Sequence, residues 1–128
     1  MKDTEAERQF QYTCVARPAQ VGHARRALAR ALDGHPAADA ATLIASEFAT
    51  NAVRHSASGN GGKFTLRAEV TAGYVRIEVS DGGGPWNRSR HRDGWPHGLS
   101  IVDTLTRRDW GIYGNAAGRT AWARISVT

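Results

Sequence analysis

The chain has 128 residues, 41% of them apolar and 23% charged, which is room for one domain with a single core and little beyond it. Cys14 is the only cysteine, which excludes an internal disulfide and a cysteine-built metal cage. No apolar run approaches the roughly 18–20 residues of a membrane-spanning helix. Met1-Lys2-Asp3-Thr4-Glu5 does not read as a signal peptide, so a cytoplasmic protein without a membrane partner is the expectation.

The net charge of +5 raises nucleic acid or an acidic protein as a partner. All 17 basic residues except Lys2 and Lys63 are arginine, however, and they are scattered along the chain. That reads as a composition bias, and nucleic acid is not the partner expected.

Residues 1–9 are polar and charged, and read as a flexible tail before a domain over residues 10–128. Phe10 to Ala16 alternates as a strand. Pro18 then opens a helix in which Val21, Ala24, Leu28 and Leu32 recur at helical spacing, with Arg25, Arg26 and Arg30 outside. After the break Gly34-His35-Pro36, a second helix runs from about Ala37 to Ala57 and decays into Ser-Gly-Asn-Gly-Gly. Phe64 to Val70 and Val75 to Ser80 alternate on either side of Ala72-Gly73 as a hairpin with one buried face. Past Asp81-Gly82-Gly83-Gly84-Pro85 and an irregular stretch to His97, Leu99, Val102 and Leu105 line one face of a third helix. Trp110 to Tyr113 and Thr120 to Val127 complete the order β-α-α-β-β-α-β-β. This is an α/β (α+β) two-layer sandwich, with a mixed, mostly antiparallel sheet and helices on one face.

The second helix holds the stretch around which the chain is organised. At roughly 100° per residue, with Glu47 at about 0°, Asn51 falls near 40° and His55 near 80°. Leu43, Ile44, Phe48 and Ala52 fall near −40°, 60°, 100° and 140°, so the polar residues lie within the apolar stripe, while Val53 points away from it. A carboxylate and an amide buried without partners would cost several kcal/mol. Either they face a polar cavity, or they sit at the rim of the stripe and reach water.

Two downstream features weigh toward a cavity. Asp81 ends an apolar strand, where its carboxylate can accept a hydrogen bond from an exocyclic amino group such as adenine's. The glycines after it let a flat ring approach the backbone. Gly98, at the mouth of a helix, leaves free N–H groups and a positive dipole end for phosphate. Asn51 can offer its amide oxygen to Mg²⁺, and Glu47, one turn away, can polarise a water or a hydroxyl. Each feature taken alone is common in proteins with no ligand.

Taken together, they resemble a known family. Ser46-Glu47-Phe48-Ala49-Thr50-Asn51-Ala52-Val53-Arg54-His55 resembles the N box of the GHKL ATPases, and more closely that of the small anti-sigma-factor serine kinases and stand-alone ATP-binding regulators of actinobacteria. Val79-Ser80-Asp81-Gly82-Gly83-Gly84-Pro85 is similar to the G1 box and His97-Gly98-Leu99-Ser100-Ile101-Val102-Asp103 to the G2 region. Gly118-Arg119-Thr120-Ala121-Trp122-Ala123 is similar to the last motif, and the four stand in order across roughly residues 10–127.

The resemblance implies a Bergerat-type fold binding ATP with Mg²⁺. It implies Glu47 as general base, Asn51 as Mg²⁺ ligand, Asp81 as adenine reader, and Gly83 as the point of close approach. Gly98 and Leu99 would give N–H groups to phosphate, and Thr120 would sit beside the base. It also implies an anti-anti-sigma protein as phosphoacceptor through a serine, and a sigma factor held inactive, with a homodimer open.

One departure bears on turnover. The G2 box usually reads Gly-x-Gly-Leu, and here Pro96 stands at the first glycine, which removes one N–H and some lid freedom. A binding module that holds nucleotide without kinase chemistry is therefore the alternative. A basic nucleic-acid-binding protein is a third and weaker reading, marked by salt-dependent DNA binding. In the lid, Arg88, Arg90 and Arg92 can close on phosphates or simply be solvated, and His91, Asp93 and His97 make a weak case for a metal site. Trp86, Trp95, Trp110 and Trp122 read as core or pocket wall.

Overall fold

Alternating sequence becomes strand where one face can be covered, and the sheet bears this out residue by residue. The computed structural model describes residues 8–55, 62–82, 97–115 and 117–127, the side chains of His55 and His97 excepted. In chain order these form β1 (Arg8–Val15), α1 (Pro18–Ala31), α2 (Ala38–His55), β2 (Lys63–Val70), β3 (Tyr74–Asp81), α3 (His97–Leu105), β4 (Trp110–Asn115) and β5 (Gly118–Ser126). The order is the one expected. The first strand begins at Arg8, ahead of the expected start at Phe10, because Arg8 and Gln9 pair with Val70 and Glu69.

The five strands lie in the order β1-β2-β3-β5-β4, and every neighbouring pair is antiparallel. The sheet was expected to be mostly antiparallel with some mixing, and among the described strands it is antiparallel throughout. The reason is the excursion through α3. It returns the chain as the β4–β5 hairpin, and β5 takes the place beside β3 and keeps β4 at the edge. Thr71 closes the β2–β3 hairpin: its buried Oγ1 accepts from the N–H groups of Gly73 and Tyr74 at 3.2 and 3.1 Å.

One sheet face carries Phe64, Leu66, Ala68 and Val70 of β2 and Val75, Ile77 and Val79 of β3, all buried. In register, Ala121, Ala123 and Ile125 of β5 continue this inner face. The outer face is a ladder of polar pairs. Thr13 meets Thr65 at 2.8 Å, Arg67 Nη1 lies 3.5 Å from Glu78 Oε1, and Arg76 pairs with Glu78. Trp122 belongs to this outer ladder, beneath the Arg76 guanidinium at 5.6 Å, and is not core as expected, since alternation from Ala121 and Ala123 points it outward.

Pro18 starts α1 in its first turn, where a missing N–H is harmless, and Gly34 at φ 81° ends the segment after it. On α2, Ala41, Ile44, Ala45, Phe48, Ala49 and Ala52 are buried. That arc runs from roughly 60° to 200° on the wheel, so it is centred further from Glu47 than the sequence suggested. Leu43 is accordingly 40% exposed, and Val53 is half-buried and packed on the core. The expected extension of this helix to Ala57 lies outside the described residues. Burying Phe48 and Phe64, each 2% exposed or less, stabilises the two layers by about 2–3 kcal/mol apiece.

Helix α3 is tied to the edge strand through a buried carboxylate. Trp110 Nε1 donates to Asp103 Oδ1 at 2.8 Å, which offsets the cost of burying that aspartate. Its last turn closes with Arg108 N–H on the Asp103 carbonyl at 2.9 Å and Arg107 N–H on that of Thr104 at 3.3 Å, with Arg107 at φ 54°. This is a Schellman closure, with arginine where glycine is the common choice.

Candidate functional site

The offset of the α2 stripe leaves Glu47 and Asn51 on its flank, both half-buried. What meets that flank is α3. A Cβ built on Gly98 would lie 1.8 Å from Glu47 Oε2 and 2.6 Å from its Cδ, so only glycine lets the carboxylate rest against the backbone of the first turn of α3. The positive end of the α3 dipole lies at that turn. Leu99, 1% exposed, and Val102, fully buried, hold the helix in place from beneath.

Asn51 Nδ2 is buried with no hydrogen-bond partner among the described residues. A buried amide group left this way costs on the order of 1–3 kcal/mol, so the position is one a ligand can satisfy. Turning the amide over exchanges nitrogen for oxygen at constant shape, and the same position then presents a hard acceptor. That fits a Mg²⁺ ligand, whose remaining positions are filled by phosphate and water.

Asp81 is the last residue of β3, and its alternation with Val75, Ile77 and Val79 puts it on the inner face. There it does not stand alone. Arg119 of β5 is its in-register neighbour and donates from Nη2 to Asp81 Oδ2 at 3.3 Å, with the side chains 11% and 5% exposed. Thr120, the residue expected beside the base, lies on the other sheet face, where its Oγ1 meets Ser80 Oγ at 3.0 Å. The period of two is the reason: if Ala121 and Ala123 face inward, so does Arg119, and Thr120 cannot. Arg119 is thus the residue sequence reasoning missed. The signal was the apolar set Ala121, Ala123, Ile125 and Val127, which fixes the phase of β5.

Helix α2 packs on β3 and reaches β5, and α3 packs on α2, so Glu47, Asn51, Gly98 and the β3–β5 pair belong to segments that meet around one helix. Gly83, Pro96 and the lid residues Arg88, Arg90, His91, Arg92 and Asp93 lie outside the described residues, as do Trp86 and Trp95 and the side chains of His55 and His97. Among the described residues no group of three or more His, Cys, Asp or Glu could hold a metal. Cys14 is half-buried, and that burial pushes its thiol above the ordinary range, the mark of an inert rather than a reactive cysteine.

A trough of about 440 Å³ opens on the opposite sheet face, lined by Gln9, Gln11, Arg67, Glu69, Arg76 and Glu78 among others. Its charged side chains engage one another or their neighbours: Arg67 and Arg76 pair with Glu78, and Tyr74 Oη donates to Glu69 at 3.3 Å. The close glycine is at the α2–α3 contact and the orphaned amide lies one turn further along α2, so this side of α2 is the stronger candidate. Chemically it combines an anion-attracting helix end, a hard-oxygen ligand and a carboxylate; the β3–β5 pair adds an acceptor beside a donor fork.

Residues 14–113 match the family described as histidine kinase-like ATPase domain. Among solved structures, this chain is similar to the RsbU and RsbW domains of Rv1364c from Mycobacterium tuberculosis, with a TM-score of 0.72 and 23% identity. The match covers 94% of this chain and 33% of that one, so the chain spans about a third of its relative's length. No curated protein matches the sequence. None of the described helices is long and apolar enough to cross a membrane.

Proposed function

Because the chain belongs to the histidine kinase-like ATPase family, we propose that it binds ATP with Mg²⁺ at the α2–α3 contact and acts as an anti-sigma-factor-like regulator. In this reading it phosphorylates a serine of an anti-anti-sigma partner and holds a sigma factor inactive in the cytoplasm. The observation that carries it is the seating of the Glu47 carboxylate on Gly98, which joins the helix of the first motif to the helix of the third. Likeness in shape to a chain with an RsbW domain supports the regulatory setting.

The division of labour follows from the positions. Gly98 and Leu99 would offer N–H groups of the first turn of α3 to phosphate, and the likeness to the family's motif gives Gly83 the role of close approach to the base. Mg²⁺, held through Asn51, would neutralise charge on the phosphate oxygens. Glu47 orients the partner's serine hydroxyl and takes its proton as the oxygen–phosphorus bond forms and ADP leaves.

Titration calorimetry of Mg·ATP into the wild type, Asp81→Asn and Asn51→Ala tests the site. Binding by the wild type that both changes weaken is expected; no binding by folded wild type overturns the reading. Transfer of a labelled γ-phosphate to a candidate anti-anti-sigma protein, abolished in Glu47→Ala, tests the kinase assignment.

Pro96 favours a second reading, a module that grips a protein partner while holding nucleotide intact. Recovery of unhydrolysed ATP after prolonged incubation with every candidate acceptor would select it.

A further inference from the structure

At the Asp81 end of β3 the acceptor is accompanied by donors. Arg119 Nη2 lies 3.3 Å from Asp81 Oδ2, and both side chains are almost wholly withdrawn from water. On the other side of β5, the position in register with Arg119 is Gly114, at φ 122°, so the cross-strand position directly beside Arg119 carries no side chain. Glycine is required there, because a Cβ would lie 2.2 Å from the Gly118 carbonyl oxygen. The inner face therefore ends in a carboxylate and a five-donor fork side by side.

A lone carboxylate reads only the exocyclic amino group of adenine. That amino group is flanked by ring nitrogens, which are acceptors with no proton to offer. A guanidinium held on the same carboxylate is set one hydrogen-bond length to the side, as a neighbouring ring nitrogen is set beside the amino group. We propose that Arg119 is a second base-reading residue, donating to a ring nitrogen of adenine next to the amino group that Asp81 accepts. The inference rests on the nucleotide reading above and deepens it. Selectivity then comes from a donor and an acceptor read together, and a base lacking either leaves one buried charged group without its match.

The test uses the wild-type chain and altered bases, so it does not depend on a variant folding. Calorimetry compares Mg·ATP with purine riboside triphosphate, which lacks the amino group, with 1-deaza-ATP and 7-deaza-ATP, which each lack one ring nitrogen, and with inorganic tripolyphosphate as a base-free probe. Loss of the amino group and loss of one of the two ring nitrogens are each expected to weaken binding about tenfold or more, as for a hydrogen bond to a charged group. Arg119→Lys replaces the fork by a point charge, and is expected to reduce the deaza discrimination while leaving tripolyphosphate affinity unchanged. If both deaza analogues bind as tightly as ATP while purine riboside triphosphate does not, Arg119 merely positions Asp81 and the proposal is overturned. If folded wild type binds no Mg·ATP, the nucleotide reading itself falls and takes this one with it.

Discussion

Strand β5 carries two arginine–aspartate pairs near its two ends, and the shorter is the less consequential. Arg124 Nε meets Asp109 Oδ2 at 2.8 Å with the side chains 48% and 40% exposed, while Arg119 Nη2 meets Asp81 Oδ2 at the longer 3.3 Å with 11% and 5% exposed. Water competes for both partners of the first pair and screens what remains, so an exposed pair contributes about 0–1 kcal/mol. Neither partner of the second can return to water if the other is removed, and breaking such a pair costs about 3–5 kcal/mol. Burial, rather than distance, ranks them. The strand is thus split between an end where charge is a surface property and an end where charge is a commitment.

The largest effect expected follows from that contrast. Arg119→Ala should lower unfolding stability in urea by about 3–5 kcal/mol, since it removes the buried guanidinium that is paired with the Asp81 carboxylate on the inner face. A loss below about 1 kcal/mol would mean that water reaches Asp81, and the comparison between the two ends would collapse.

Two glycines sharpen the same contrast from the backbone side. At Gly114 an added Cβ meets the Gly118 carbonyl oxygen at 2.2 Å and the Arg119 Cα at 2.7 Å, and φ is 122°. Backbone cannot step aside, so Gly114→Ala should cost roughly 1–3 kcal/mol in strain alone, read by the same urea titration. At Gly98 the obstacle is the far end of the Glu47 side chain, which can rotate away. Gly98→Ala should therefore keep most of its stability, losing less than about 1 kcal/mol, while any phosphoryl transfer that depends on Glu47 falls by a hundredfold or so. A variant that loses both stability and transfer in proportion would show that the Glu47 seat is structural and not catalytic.

What the sequence could disclose divides along the same lines. Element order was legible because the two periods, 2 and 3.6, are local and the breaks at Gly34-His35-Pro36 and Ala72-Gly73 are unambiguous. Glu47 and Asn51 stood out because the wheel put them within the apolar stripe, although it placed the stripe's centre too near them and so put Leu43 inside. The position of β5 between β3 and β4 was not legible, since it depends on long-range pairing that no local pattern encodes. The Glu47–Gly98 seat was hidden for the same reason: its partners are far apart in the chain and meet only through helix packing. Thr120 is a different kind of error. Its place beside the base came from likeness to the last motif, whereas the phase of β5 is written in Ala121, Ala123, Ile125 and Val127 and turns Arg119 inward instead.

The smallest effect is the control on which the comparison rests. Asp109→Asn removes the charge opposite Arg124 but leaves that guanidinium 5.2 Å over the Tyr74 ring, and its backbone carbonyl still accepts from the Arg124 N–H at 3.0 Å. Hydrogen bonding to Asp109, and then its charge, raise the Arg124 pKa above the ordinary guanidinium value. A cation whose folded pKa is raised contributes fully below its unfolded pKa, so Arg124 itself introduces no pH dependence below about pH 12. Stability of Asp109→Asn should thus fall by less than about 1 kcal/mol near neutrality, and the difference from wild type should shrink in about 1 M salt. A difference that persisted unchanged in high salt would mean that the Asp109 carboxylate acts through packing or a local hydrogen bond rather than charge. The Asp81–Arg119 pair, carried through the same salt series, should hold its difference, because the Debye atmosphere does not enter a buried site.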